Sequence, residues 1–149
     1  MKILVLHGPN LNLFGRREPH IYGSTTLDEI NAKLRQLAKD LKVTVEILQS
    51  NHEGALIDFM HKNIDRAAAA ILNPGGLTQH GVSLHDCIKA MPFPVVEVHM
   101  SNRHQREPWR GHSIISPAAK GTVEGFGWRS YTAGFRLAVR LAQDATKKK

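Results

Sequence analysis

A chain of 149 residues, 42% hydrophobic and 22% charged, has the size of one ordinary globular domain and can bury a core without a disulfide or metal to staple it. With Cys87 as its one cysteine, an intrachain disulfide and a cysteine-based metal site are excluded, and a reducing, cytoplasmic compartment is the simplest setting. The net charge of +7 raises the question of nucleic acid, but no groove-binding motif accompanies it. Much of the charge sits in the closing lysines 147–149 and in two arginine segments, Arg16–Arg17 and Arg103–Arg110, which suit a small anion equally well.

The apolar run from Met1 to His7 is too short for a signal peptide core or a membrane span, so no membrane partner is expected. Its residues Lys2–His7 read as a first strand. Thr25 and Thr26 with Asp28 and Glu29 then form a capping-box start. Leu27, Ile30, Leu34, Leu37 and Leu41 follow at the three-and-four spacing of one helix face. Val43–Leu48 reads as the second strand, Glu53–Ile64 as a helix, and Ala68–Leu72 as a third strand apolar on both faces. The break at Asn73-Pro-Gly-Gly leads to a short helix carrying Leu84, Ile88 and Met91. Val95–His99 is the fourth strand, Ser113–Ser116 the fifth, Gly121–Gly127 a turn-rich structural stretch, and Tyr131–Ala145 a closing helix. This alternation predicts an α/β, flavodoxin-like three-layer sandwich with a five-stranded parallel sheet in the order 2-1-3-4-5. Residues 1–145 are read as a single domain and residues 146–149 as a basic tail expected to be disordered.

Open parallel sheets bind ligands outside the carboxyl ends of their strands. Four polar clusters fall there in this sequence: His7 to Asn12, Gln49 to Glu53, Asn73 to Gly76, and Glu97 to Asn102. The loop from Gly15 to Gly23 is long for its place, as lids are, and sets Tyr22 near Arg16 and Arg17. A cationic neighbour favours the phenolate, which would let Tyr22 act as a base. Equally, Tyr22 packs the loop down while Arg17 pairs with Glu18. His99 alternates with Val96 and Val98 and can be read as a satisfied strand-end histidine. Glu97, two residues earlier, points the same way and would orient the imidazole as a general acid. No zinc spacing appears among the nine histidines, and no Walker A or G-x-G-x-x-G motif follows the first strand, so neither metal nor nucleotide cofactor is expected.

The stretches GPNLNLFGRREPHIYG, QSNHEGALID, ILNPGGLT, EVHMSN, REPWRGHS and GTVEGFG, in this order, resemble the type II 3-dehydroquinases nearly end to end. The resemblance implies a cofactor-independent hydro-lyase that converts 3-dehydroquinate to 3-dehydroshikimate by anti elimination through an enolate, in the shikimate pathway or in quinate breakdown. It implies Tyr22 as base activated by Arg17, Asn10 holding the water that stabilises the enolate, and His99 as acid oriented by Glu97. Asn73, Met100, Ser101 and Arg110 would bind the carboxylate-bearing substrate, with Arg106 and Glu18 supporting the site. Where the family usually continues His-Thr-Ser, this chain has Gln79-His80-Gly81; either Gln79 would bond a substrate hydroxyl in the histidine's stead, or His80 would reach across to it. Asp86 matches a residue that reaches a neighbouring subunit's site, and homo-oligomers in which trimers build a dodecamer are implied. A sister lyase on a related cyclic hydroxy-acid and a non-catalytic anion-binding module are the alternative readings.

Overall fold

The computed structural model describes residues 1–147. Five strands, β1 (Lys2–His7), β2 (Thr44–Gln49), β3 (Ala69–Asn73), β4 (Val95–His99) and β5 (Gly121–Glu124), form one parallel sheet in the order β2-β1-β3-β4-β5. A four-residue helix α1 (Pro19–Tyr22) lies in the loop after β1. The crossovers are α2 (Leu27–Asp40), α3 (Glu53–Lys62) and α4 (Val82–Ala90), and α5 (Arg129–Lys147) closes the chain. The expected capping box is present at α2: Glu29 N–H donates to Thr26 Oγ1, and Thr26 N–H donates to the Glu29 carboxylate.

Alternate residues of each central strand face opposite cores. Ile3, Val5 and Ile71 pack with Ile30 and Leu34 of α2 and Phe135 and Val139 of α5. Leu4, Leu6 and Leu72 pack with Leu56 and Met60 of α3 and Leu84 and Ile88 of α4. Burial on both faces explains why these strands are continuous apolar runs rather than alternating ones. Helix α5 can lie close because residue 134 is glycine: a Cβ there would sit 2.6 Å from Val98 Cγ2. Cys87 is buried on α4 with its thiol turned to the Met60 sulfur at 3.9 Å. No helix among the described residues is long and apolar enough to cross a membrane.

The fifth strand is not Ser113–Ser116. Ser113 Oγ accepts from the backbone N–H groups of Ile115 and Ser116, a local side-chain bond that turns the chain where a strand would extend it. The ladder is instead completed by Gly121–Glu124, beside β4 in the register Glu97↔Thr122 and His99↔Glu124. The glycines after it still make a turn, whose Gly125 and Gly127 N–H groups donate to the carbonyls of His99 and Met100. Of the expected tail, Thr146 and Lys147 continue α5, and Lys148 and Lys149 lie outside the described residues.

Candidate active site

The loops after β1 and β3 meet at the carboxyl edge of the sheet. Gly8 N–H donates to Asn73 O at 2.8 Å. A Cβ at residue 8 would lie 2.4 Å from Pro74 O, so only glycine admits this approach. Beside this junction opens a cavity of ≈ 330 Å³ lined by Asn10, Arg17, Tyr22, Asn73, Gln79, His99, Met100, Ser101, Arg106 and Arg110 among others. Ten sequence-predicted residues, drawn from the ends of β3 and β4 and from the loops after β1, β3 and β4, thus share one space. Glu97, Glu18 and Asp86 do not line it: Glu97 lies behind His99, and Asp86 is exposed on α4.

Tyr22, at the end of α1, is flanked by two guanidinium groups. Arg106 Nη1 donates to its hydroxyl at 2.8 Å, and the Arg106 and Arg17 guanidinium carbons lie 5.2 and 5.4 Å from the ring centroid. Arg17 itself pairs with Glu18 at 3.3 Å. The cation touching the phenol oxygen is therefore Arg106, 84 residues away in the chain, rather than the sequence-adjacent Arg17. Asn10 and Glu18, at the two ends of the loop's first half, hold left-handed backbone with φ of 67° and 38°, a costly conformation for residues with a Cβ that collects at functional sites.

On the opposite element, the buried His99 Nε2 lies 2.7 Å from Glu97 Oε1, leaving Nδ1 as the ring nitrogen free to face the cavity. The Glu97 carboxylate is also held by the hydroxyls of Ser113, Ser116 and Thr122. Burial pushes this carboxyl up, but the hydrogen bonds from His99 and Ser116 and the positive charges of His99 and Arg103 outweigh it. The group stays below the usual carboxylate range and remains an anion. Gln79 donates through Nε2 to the backbone carbonyls of Arg110 and His112 at 3.3 and 3.2 Å, which tethers the arginine segment and leaves Oε1 uncommitted to these bonds.

Sequence reasoning overlooked three sets of residues. Arg103 lines the cavity, is buried, and pairs with Glu124 at 2.6 Å; the sequence offered it only as one end of an arginine segment suited to a small anion, with no role of its own. The hydroxyls on Glu97 were missed because β5 was misplaced: the cross-strand pair of Glu97 with Thr122 would have exposed one of them. Tyr131 and Asn31, behind Asn73, carried no local signal, since separate elements bring them to His7, which the sequence offered only as the start of a polar cluster. No cluster of three or more His, Cys, Asp or Glu suited to a metal ion occurs among the described residues.

Fold and cavity together define a doubly wound α/β protein with a cation-lined site at the carboxyl edge of its sheet. Residues 1–139 match the family described as dehydroquinase class II, and the chain belongs to that family. A 3-dehydroquinate dehydratase of Roseiflexus castenholzii is 54% identical over 131 residues, covering 88% of this chain and 83% of the relative. One from Gloeothece citriformis is 54% identical over 137 residues, 92% of this chain and 90% of the relative. Among solved structures, the type II dehydroquinase of Butyrivibrio crossotus superposes with a TM-score of 0.90 at 34% identity, covering 93% of this chain and 97% of that one.

Proposed function

We propose that this chain is a hydro-lyase that dehydrates 3-dehydroquinate to 3-dehydroshikimate through an enolate. The observation that carries the reading is a matched pair lining one cavity: a phenol that accepts from a guanidinium, and an imidazole backed by a buried carboxylate. A tyrosine can take a proton from carbon only as its phenolate, and the guanidinium of Arg106, donating to the phenol oxygen, favours that form of Tyr22. Tyr22 takes the proton, the electron pair moves into the ketone to give the enolate, and Asn10 holds a water against the enolate oxygen. His99 then delivers a proton from Nδ1 to the departing hydroxyl in an anti elimination, while Glu97 stabilises the imidazolium. Ser101, the backbone N–H groups of Met100 and Ser101, Asn73 and Arg110 bind the substrate carboxylate and hydroxyls, with Gln79 Oε1 as an acceptor. Arg17 keeps the lid side of the site cationic. Asp86, exposed away from its own cavity, serves the site of a neighbouring copy in a trimer-based assembly.

The test is the absorbance of the conjugated enone formed from 3-dehydroquinate in buffer containing a chelator. Steady turnover is expected from the purified chain, with Tyr22→Phe and His99→Ala each lowering kcat by roughly a hundredfold or more. A folded protein without turnover would sink the reading. A variant that kept near-full activity would remove that residue from its role.

A further inference from the structure

We propose that Tyr131, His7 and Asn31 are positioning residues that fix which way the Asn73 carboxamide faces in the cavity, a role that rests on the dehydration reading and extends it behind the substrate. Asn73 is buried and its orientation is set from both ends. Gly75 N–H donates to Oδ1 at 3.1 Å, and only the oxygen of an amide can accept that bond. Nδ2 therefore faces Tyr131 and donates to its hydroxyl oxygen at 2.9 Å. At the far end Asn31 Oδ1 can only accept, so the neutral His7 ring carries its hydrogen on Nε2, its Nδ1 is bare, and the Tyr131 hydroxyl donates to Nδ1 at 3.1 Å. The Nε2 hydrogen is given to Asn31 Oδ1 at 2.8 Å.

Every bond in this chain runs one way, from Asn73 on the cavity wall to Asn31 on α2. Burial keeps the carriers in the required states: it pushes the Tyr131 hydroxyl far up, so the proton stays on, and pulls His7 down to about 4, so the ring stays neutral. The second hydrogen of Nδ2 is taken by no described residue, and Asn73 lines the cavity, so this hydrogen is the one offered to substrate. Without the Tyr131 oxygen the amide is held by Gly75 alone.

Tyr131→Phe keeps the buried ring and removes only the oxygen. Its KM for 3-dehydroquinate should rise about tenfold with kcat within about twofold of wild type, the signature of a lost binding contact. His7→Leu should do the same. His7→Gln, which retains one acceptor and one donor, should restore KM to within about threefold of wild type. Wild-type KM in folded Tyr131→Phe and His7→Leu overturns the proposal, as does an equal loss in His7→Gln and His7→Leu. Nitrogen-15 NMR of the wild-type protein tests the chain without turnover or substitution: His7 should be the neutral Nε2–H tautomer at about pH 5.5. The Nδ1–H tautomer, or titration near the ordinary value, overturns it. An inactive wild type that shows the Nε2–H tautomer would fault the dehydration reading and leave the chain standing.

Discussion

At the scale of single residues, the site is built from side chains whose polar atoms hold specified partners on other elements. Gln79 shows what this does for binding. Its two amide hydrogens hold the carbonyls of Arg110 and His112, so one side chain fixes an arginine-bearing segment and leaves an acceptor free. Gln79→Ala should raise KM about thirtyfold, since two neutral hydrogen bonds contribute roughly 1 kcal/mol each, with kcat little changed. Steady-state kinetics beside wild type decides it; an unchanged KM would show that the segment is held without Gln79. The pairing of Glu97 with His99 was legible in the sequence because strand periodicity puts residues two apart on one face. The pairing of Tyr22 with Arg106 was not, because nothing local joins residues 84 positions apart, and the nearer Arg17 drew the assignment to itself.

At the scale of elements, four strands and the capping box of α2 were readable because hydrophobic period and cap chemistry are local signals. The fifth strand was not. Ser-Ile-Ile-Ser has the composition of a strand, but Ser113 spends its hydroxyl on the backbone and on Glu97. The true edge strand is four residues long, begins with glycine and is half exposed, so it carries little apolar pattern. The contact between the loops after β1 and β3 makes an equally specific demand. Gly8→Ala should destabilise the fold by about 2 kcal/mol or more, because the added methyl meets a backbone oxygen that cannot rotate away. Urea unfolding measures this; a midpoint within error of wild type would mean that the loops separate at little cost. KM should rise in the same variant, because Asn73 stands at that junction.

At the scale of the whole molecule, the fold carries its acid sensitivity in buried groups. His7 accepts a proton only near pH 4 when folded but near 6.5 when unfolded. In that window the unfolded chain binds more protons, so stability falls as the pH drops from 6.5 towards 4. The loss between pH 7 and pH 5 should be about 2 kcal/mol, read from urea midpoints, and absent in His7→Gln. Glu97, held as an anion in the fold, adds a further loss at pH values below the ordinary carboxylate range. An equal slope in His7→Gln would assign the sensitivity elsewhere. The all-parallel sheet has a consequence in time as well. Every strand pairing waits on a crossover, and the contacts that complete the site join residues 84 and 124 positions apart, so neither half of the chain can complete it alone. Catalytic competence should therefore emerge only with the last, rate-limiting docking step. In a refolding experiment, regain of turnover and protection of the buried Cys87 thiol from labelling should follow a single shared rate constant. Activity would then serve as a clock for completion of folding, with no partly working species along the way.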